Sequence, residues 1–151
     1  FIARRLVRAA SEDVGLADPD ALKLTLDAYR AYEQLGSPEG ELALAQAVLY
    51  LALAPKSNAA YTALGKAKEL AKATTQHSPP KIILNAPTQL MKTLGYGKGY
   101  RYDHDEKEAF SGQNYFPDEM ERPTFYEPVE RGFEREMKKR MDYFNKIRHS
   151  K

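Results

Sequence analysis

The sequence predicts an all-α fold: a mainly helical bundle or collar, then a long aromatic-rich irregular segment with room for a short β-hairpin, then a final amphipathic helix. Three observations carry that prediction. Residues 1–76 show helical apolar periodicity, interrupted by Gly, Pro and N-cap residues. Residues 77–127 lose the periodicity and fill with Pro, Gly and aromatics. Residues 128–151 regain it. A length of 151 residues fits one domain, and we expect a four-helix lobe over 1–76, a loop-rich segment over 77–127 and a C-terminal helix over 128–151.

The first helix is expected from about Phe1 to Val14, with Ile2, Leu6, Ala9 and Ala10 on one face and Gly15 as its stop. The second opens with Asp18 as N-cap and Pro19 at the first helical position, where a missing N–H is harmless. Leu22, Leu26 and Tyr29 form one stripe, Leu24, Ala28 and Leu35 the next, and Gly36 caps the end. The third starts at Ser37-Pro38, with Glu39 and Glu41 near its positive end. From Leu42 to Ala54 only Gln46 is polar, so this helix should be buried on every side. It is too short for the ~20 residues of a membrane span. After Pro55, Ser57 caps a fourth helix that should turn Ala60, Leu64, Ala67 and Ala71 inward and Lys66, Lys68, Glu69 and Lys72 outward.

Gln76 to Pro80 reads as an extended linker, Ile82-Ile83-Leu84 as a short strand, and Pro87 to Leu94 as a short helix capped by Gly95. Tyr96 to Tyr126 is dense in aromatics, so it should be packed down or functional. The last helix should run from about Pro128 to Arg148. Its apolar stripe of Val129, Phe133, Met137, Met141 and Phe144 supplies the core or interface candidates, with Arg131, Arg135 and Lys139 opposite.

A formal charge of +2 excludes a module that holds a phosphate backbone by net charge alone. The absence of Cys excludes disulfides, thiolate metal sites and a Cys nucleophile. The charge is uneven, however: residues 131–151 hold eight Lys+Arg against three acids, or +5. The acids each precede a base by four residues, as Glu134–Lys138, Glu136–Arg140 and Asp142–Lys146, which is ordinary helix support. Arg131, Arg135 and Lys139 are left over as candidate phosphate contacts, and a solvated basic face is the competing explanation. Lys98 and Arg101, among tyrosines, are candidates for holding a single strand whose bases stack on the aromatics; core packing of those tyrosines competes.

No catalytic, cofactor or metal residue emerges. Gly95-Tyr96-Gly97-Lys98-Gly99 lacks the GxxxxGK[ST] spacing of a phosphate loop, and Tyr100 stands where a dinucleotide fingerprint needs its third Gly. Tyr102-Asp103-His104-Asp105-Glu106 gathers metal-capable side chains without the spacing of a known metal motif. No Ser/His/Asp constellation stands out.

Several segments carry a family resemblance. They are Ala3-Arg4-Arg5-Leu6-Val7-Arg8, Ser11 to Pro19, Leu44-Ala45-Gln46-Ala47, Leu49-Tyr50-Leu51-Ala52 and Ala54-Pro55-Lys56-Ser57-Asn58. The most specific are Asn85-Ala86-Pro87-Thr88, Leu90-Met91-Lys92, Gly95 to Tyr102 with His104-Asp105, and Phe125-Tyr126-Glu127-Pro128 with Arg131-Gly132. The whole chain resembles the C-terminal part of the RarA or MgsA type of AAA+ ATPase, a clamp-loader relative. The resemblance implies a cytoplasmic, nucleoid-associated parent ATPase that acts in replication, recombination and repair at stalled forks, binds DNA and works with single-strand-binding protein and the replication machinery. It implies that ATP and Mg belong to an upstream ATPase domain, that this part is non-catalytic, and that it forms a homotetramer; no membrane is expected. Phe1, standing where a helix already begins, fits a piece cut just after the ATPase lid. An oligomerisation domain is the leading expectation, and a module that contacts single-stranded or forked DNA through the last helix and the aromatic loop is the alternative.

Overall fold

The computed structural model describes residues 1–150, and their regular structure is entirely helical. The chain groups into two compact units. One comprises Phe1–Lys68 with Phe125–Lys139, the other Glu69–Thr124 with Arg140–Lys151.

In the first unit, α1 (Ile2–Ala9) leads into a wide π-helical turn over Ala10–Val14 and a 3-10 turn over Gly15–Ala17. Gly15 stops the helix as expected, with φ +54°. A Cβ there would lie 2.8 Å from the Ser57 carbonyl oxygen, so the close approach to the next connection requires glycine. α2 (Asp20–Leu35) begins beside Asp18, whose carboxylate accepts the Asp20 N–H at 3.2 Å and whose carbonyl accepts the Ala21 N–H at 3.2 Å. Gly36 ends it, donating to the Tyr32 carbonyl at 2.9 Å.

α3 (Glu41–Leu53) folds back on α2, the most extensive helix pair in the unit. It ends where Ala54 turns extended before Pro55. The Lys56 ammonium then donates to the Leu51 and Ala54 carbonyls at 2.5 and 2.6 Å, covering acceptors that the helix end leaves open. α4 (Ala59–Ala73) is capped by the Ser57 hydroxyl, which accepts the Ala59 N–H at 3.2 Å.

The core is built mainly from alanines: Ala3, Ala10, Ala17, Ala21, Ala28, Ala47 and Ala59, joined by Val14 and Leu51. This corrects several expected faces. α1 buries Ala3, not Ile2, and α2 buries Ala21, Thr25 and Ala28 while Leu22, Leu26 and Leu35 face out. Small side chains occupy the contact positions because the helix backbones approach closely, and the larger leucines are displaced outward. α4 buries Ala59 and leaves Leu64 exposed. α3 departs furthest from expectation: only Ala47 and Leu51 are buried. An all-apolar helix needs cover on every side, but the unit itself supplies it on one.

The last helix, α6 (Glu134–His149), starts later than the apolar spacing predicts. Gly132 takes φ +51°, and a Cβ there would lie 2.0 Å from the Ala17 carbonyl oxygen. The next N–H, of Phe133, donates to that oxygen at 2.8 Å. This contact pins the chain in a non-helical path, so Val129 lies outside the helix and the predicted stripe is broken.

In the second unit, Lys81–Ile83 forms a 3-10 turn in place of the expected strand. Pro79 and Pro80 precede it, and Ile83 and Leu84 donate back to the Pro80 and Lys81 carbonyls at 3.2 and 3.1 Å. α5 (Gln89–Thr93) is capped by Thr88, whose hydroxyl accepts the Met91 N–H at 3.2 Å, and is closed by Gly95 at φ +82°. No strand, and so no hairpin, forms among the described residues. The aromatic segment is packed down in part: Phe110 meets Phe144 at 4.8 Å between ring centroids and the Tyr143 hydroxyl donates to Glu108 at 2.7 Å, while Tyr100, Tyr102 and Tyr115 stay exposed. No helix of the described residues is long and apolar enough to cross a membrane.

Candidate functional site

The strongest surface feature lies on α3. At 100° per residue, Leu42, Leu49 and Leu53 fall within about 40° of one another, opposite the buried Ala47 and Leu51. They are 67%, 66% and 88% exposed, against 8% for Leu51. Ala45 and Gln46, also exposed, complete the strip, so it carries no charge. The apolar residues that would ordinarily fill a core therefore stand on the outside, while alanines fill the inside. Exposed apolar strips rimmed by polar residues mark contact surfaces.

The expected interface residues are placed less simply. In the first unit, Val129 and Met137 are half-buried and Phe133 is 37% exposed. In the second unit, Met141 is half-buried, and Phe144 packs on Phe110 and on Tyr143 at 5.5 Å while remaining partly exposed.

Sequence reasoning missed the residue that organises the start of α6. Glu134 is fully buried. Its carboxylate accepts the Tyr126 hydroxyl at 2.9 Å and the Val129 N–H at 3.0 Å. Burial, and then the bond to Glu134, push the Tyr126 phenol well above its ordinary range. The expected Glu134–Lys138 pair is thereby replaced: Lys138 pairs with Glu130 at 2.5 Å. The available signal was a glutamate near a helix start, which can reach back to an upstream N–H as capping glutamates do.

The basic candidates divide between the units. Arg131, Arg135 and Lys139 lie in the first. Arg135 donates through Nε to the Glu130 carbonyl at 3.0 Å, and Lys139 pairs with Glu136 at 2.7 Å. Arg131 is exposed and borders a cleft of about 700 Å³ floored by Leu6, Val14, Val48 and Leu51. Lys98 and Arg101 lie in the second unit. Lys98 is exposed, whereas Arg101 braces the loop: its guanidinium donates to the Ser111 carbonyl at 2.7 Å and faces Glu106 at 3.5 Å. Its backbone N–H donates to the Gln113 side chain at 2.8 Å. Among the described residues no three metal-capable side chains converge, and Asp103 instead accepts the Ser111 N–H at 2.7 Å.

Comparison with known proteins agrees with the resemblance read from the motifs. Residues 1–145 match the family described as MgsA AAA+ ATPase C terminal. The replication-associated recombination protein A of Coxiella burnetii is 50% identical over 148 residues, which are 97% of this chain and 34% of that protein. The protein of the same name from Escherichia coli K12 is 47% identical over 135 residues, 89% of this chain and 30% of that protein. The ATPase WRNIP1 of Dictyostelium discoideum is 40% identical over 132 residues, 84% of this chain and 15% of that protein. The chain thus spans about a third of the length of the bacterial relatives. On this match, with its helical fold, the chain belongs to the MgsA AAA+ ATPase C-terminal family.

Proposed function

We propose that this chain is the non-catalytic oligomerisation domain of an AAA+ ATPase of replication-associated recombination, and that it assembles as a homotetramer through the outer face of α3. The observation that carries the proposal is the inverted first unit, with Leu42, Leu49 and Leu53 outside and alanines inside. Four copies is the assembly that the family resemblance implies. In the longer protein, ATP and Mg bind in the ATPase domain upstream, and the assembly works on DNA with single-strand-binding protein and the replication machinery. Sedimentation equilibrium tests the reading. The chain should be tetrameric at tens of micromolar, and Leu49→Glu with Leu53→Glu should yield a folded monomer. A wild-type monomer at that concentration overturns it.

A second reading, contact with unpaired DNA, is favoured by one specific arrangement. Residues 77–102 contain four Lys+Arg and no Asp or Glu. Gly97 N–H donates to the Lys81 carbonyl at 2.7 Å, so Lys81 and Lys98 flank one loop beside the half-exposed Tyr100. Anisotropy with labelled single-stranded and forked DNA at low salt separates the surfaces. Loss of binding in Lys98→Glu points to this loop, and loss in Arg131→Glu with Arg135→Glu points to the start of α6. No binding by the wild type at low salt removes the reading.

A further inference from the structure

Two arginines of the second unit approach one stretch of loop backbone, and among the described residues no carboxylate forms an ion pair with either. Gly112 has φ +70°, and a Cβ there would touch the Arg148 Cα at 3.4 Å, so this stretch of loop backbone lies directly on the last turns of α6. On the helix side, the Arg148 guanidinium lies over the Phe110 ring at 5.3 Å from its centroid. Nη1 donates to the Asn145 side chain at 2.5 Å, while Nε is buried and has no acceptor among the described residues. On the loop side, Arg122 reaches the adjacent Gln113 carbonyl with Nη1 at 3.5 Å, the outer limit of a hydrogen bond.

Three carboxylates of the same unit are engaged elsewhere. Glu108 holds the Tyr143 hydroxyl at 2.7 Å, Asp103 holds the Ser111 N–H at 2.7 Å, and Glu106 faces Arg101 at 3.5 Å. Burial, and then the charge of Arg122, lower the affinity of Arg148 for its proton. The C-terminal end of α6 offers roughly half a negative charge against two full positive ones. A buried donor with no acceptor, beside a like charge, calls for an anion.

We propose that Arg122 and Arg148 form an oxyanion site that takes a phosphate group beside the loop backbone at Gly112 and Gln113. Phosphate suits the pair better than carboxylate does. A free phosphate carries a charge approaching that of both guanidiniums together, a phosphodiester carries one, and in either form the oxygens match two planar forks at once. Bringing an oxygen to Nε requires the guanidinium to slide over the Phe110 face and to exchange its Nη1 bond to Asn145 for one to the phosphate. The phosphate is either a free anion or a phosphodiester of a nucleic-acid strand, and the site is independent of the α3 surface.

The test is an NMR titration of the isotope-labelled chain at constant ionic strength, with inorganic phosphate in one arm and a short oligothymidylate in the other. The Arg148 Nε–H resonance and the Gly112 and Gln113 amides should move together and saturate with at least one probe. Saturation by phosphate assigns a free anion, and saturation by the oligonucleotide alone assigns a phosphodiester. Arg122→Gln changes a side chain outside the core, so the Phe110 and Phe144 resonances should stay in place while the dissociation constant rises about tenfold or more. If neither probe moves Arg148 Nε–H, if chloride moves it equally, or if Arg122→Gln titrates like the wild type, the site does not exist.

Discussion

The Tyr126 hydroxyl and the Glu134 carboxylate form a 2.9 Å hydrogen bond whose acceptor is completely buried. Val129 N–H supplies the other donor at 3.0 Å, so both carboxylate oxygens are engaged by neutral donors within one short stretch of chain. Tyr126→Phe removes one donor and leaves a buried oxygen short of a partner. It should lower stability by ~1–3 kcal/mol in urea denaturation.

The same bond sets an alkaline limit. The folded-state pKa of Tyr126 is raised above its ordinary value of about 10. The stabilisation is therefore complete below about pH 10 and is lost as the pH rises through the folded value. Urea midpoints measured between about pH 8 and 11 should fall at the alkaline end, and less steeply in Tyr126→Phe. Some slope will remain in the variant, because Tyr50 and Tyr143 are raised by their bonds to Asp18 and Glu108.

Leu51 and Leu49 form an internal control. They lie two residues apart on α3, one 8% and the other 66% exposed. Leu51→Ala should cost ~2–5 kcal/mol by opening a cavity under the alanines. Leu49→Ala should change monomer stability by under ~0.5 kcal/mol. Chemical denaturation at low protein concentration, where association is absent, compares the two.

Gly132→Ala places a methyl on the Ala17 carbonyl and forces a side chain into φ +51°. It should destabilise by at least ~2 kcal/mol. Gly112→Ala meets only an ordinary 3.4 Å contact, so it should cost about 1 kcal/mol, from backbone conformation alone. Thermal melts of the two variants separate steric collision from backbone preference.

Phe133→Ala should cost only ~1–2 kcal/mol, because the ring is 37% exposed and a full Phe→Ala penalty requires full burial. A loss of ~4 kcal/mol in equilibrium unfolding would show that Phe133 is covered in solution by something beyond this chain.

What was legible in the sequence was local. Gly15, Asp18, Gly36, Ser57 and Gly95 mark helix ends where they stand because capping depends on a few neighbouring residues. The motif set around Asn85 and Gly95 to Tyr102 pointed to the family that residues 1–145 match. What was not legible depends on distant partners. The late start of α6 is set by the Ala17 carbonyl, more than a hundred residues upstream of Gly132. Glu134 is inward because Tyr126 and Val129 wait for it, and periodicity counts a glutamate as outward. Apolar content along α3 predicted burial on every side, yet within the unit only Ala47 and Leu51 are buried, because packing partners and not composition decide which face is covered. The basic residues were easy to find, but their engagements were not: Arg101 spends its guanidinium on Ser111 and Glu106, and Lys138 turns to Glu130.

The alanine interior of the first unit also decides how this protein tolerates change. Ala3, Ala10, Ala17, Ala21, Ala28, Ala47 and Ala59 have almost nothing to truncate, so a scan to alanine passes over them unread. Their sensitivity runs in the other direction. One added methyl at Ala21 or Ala47, each 0% exposed, must push two helix backbones apart. Enlargement, rather than deletion, is the perturbation that maps this core, and the positions free to vary are the large leucines outside it.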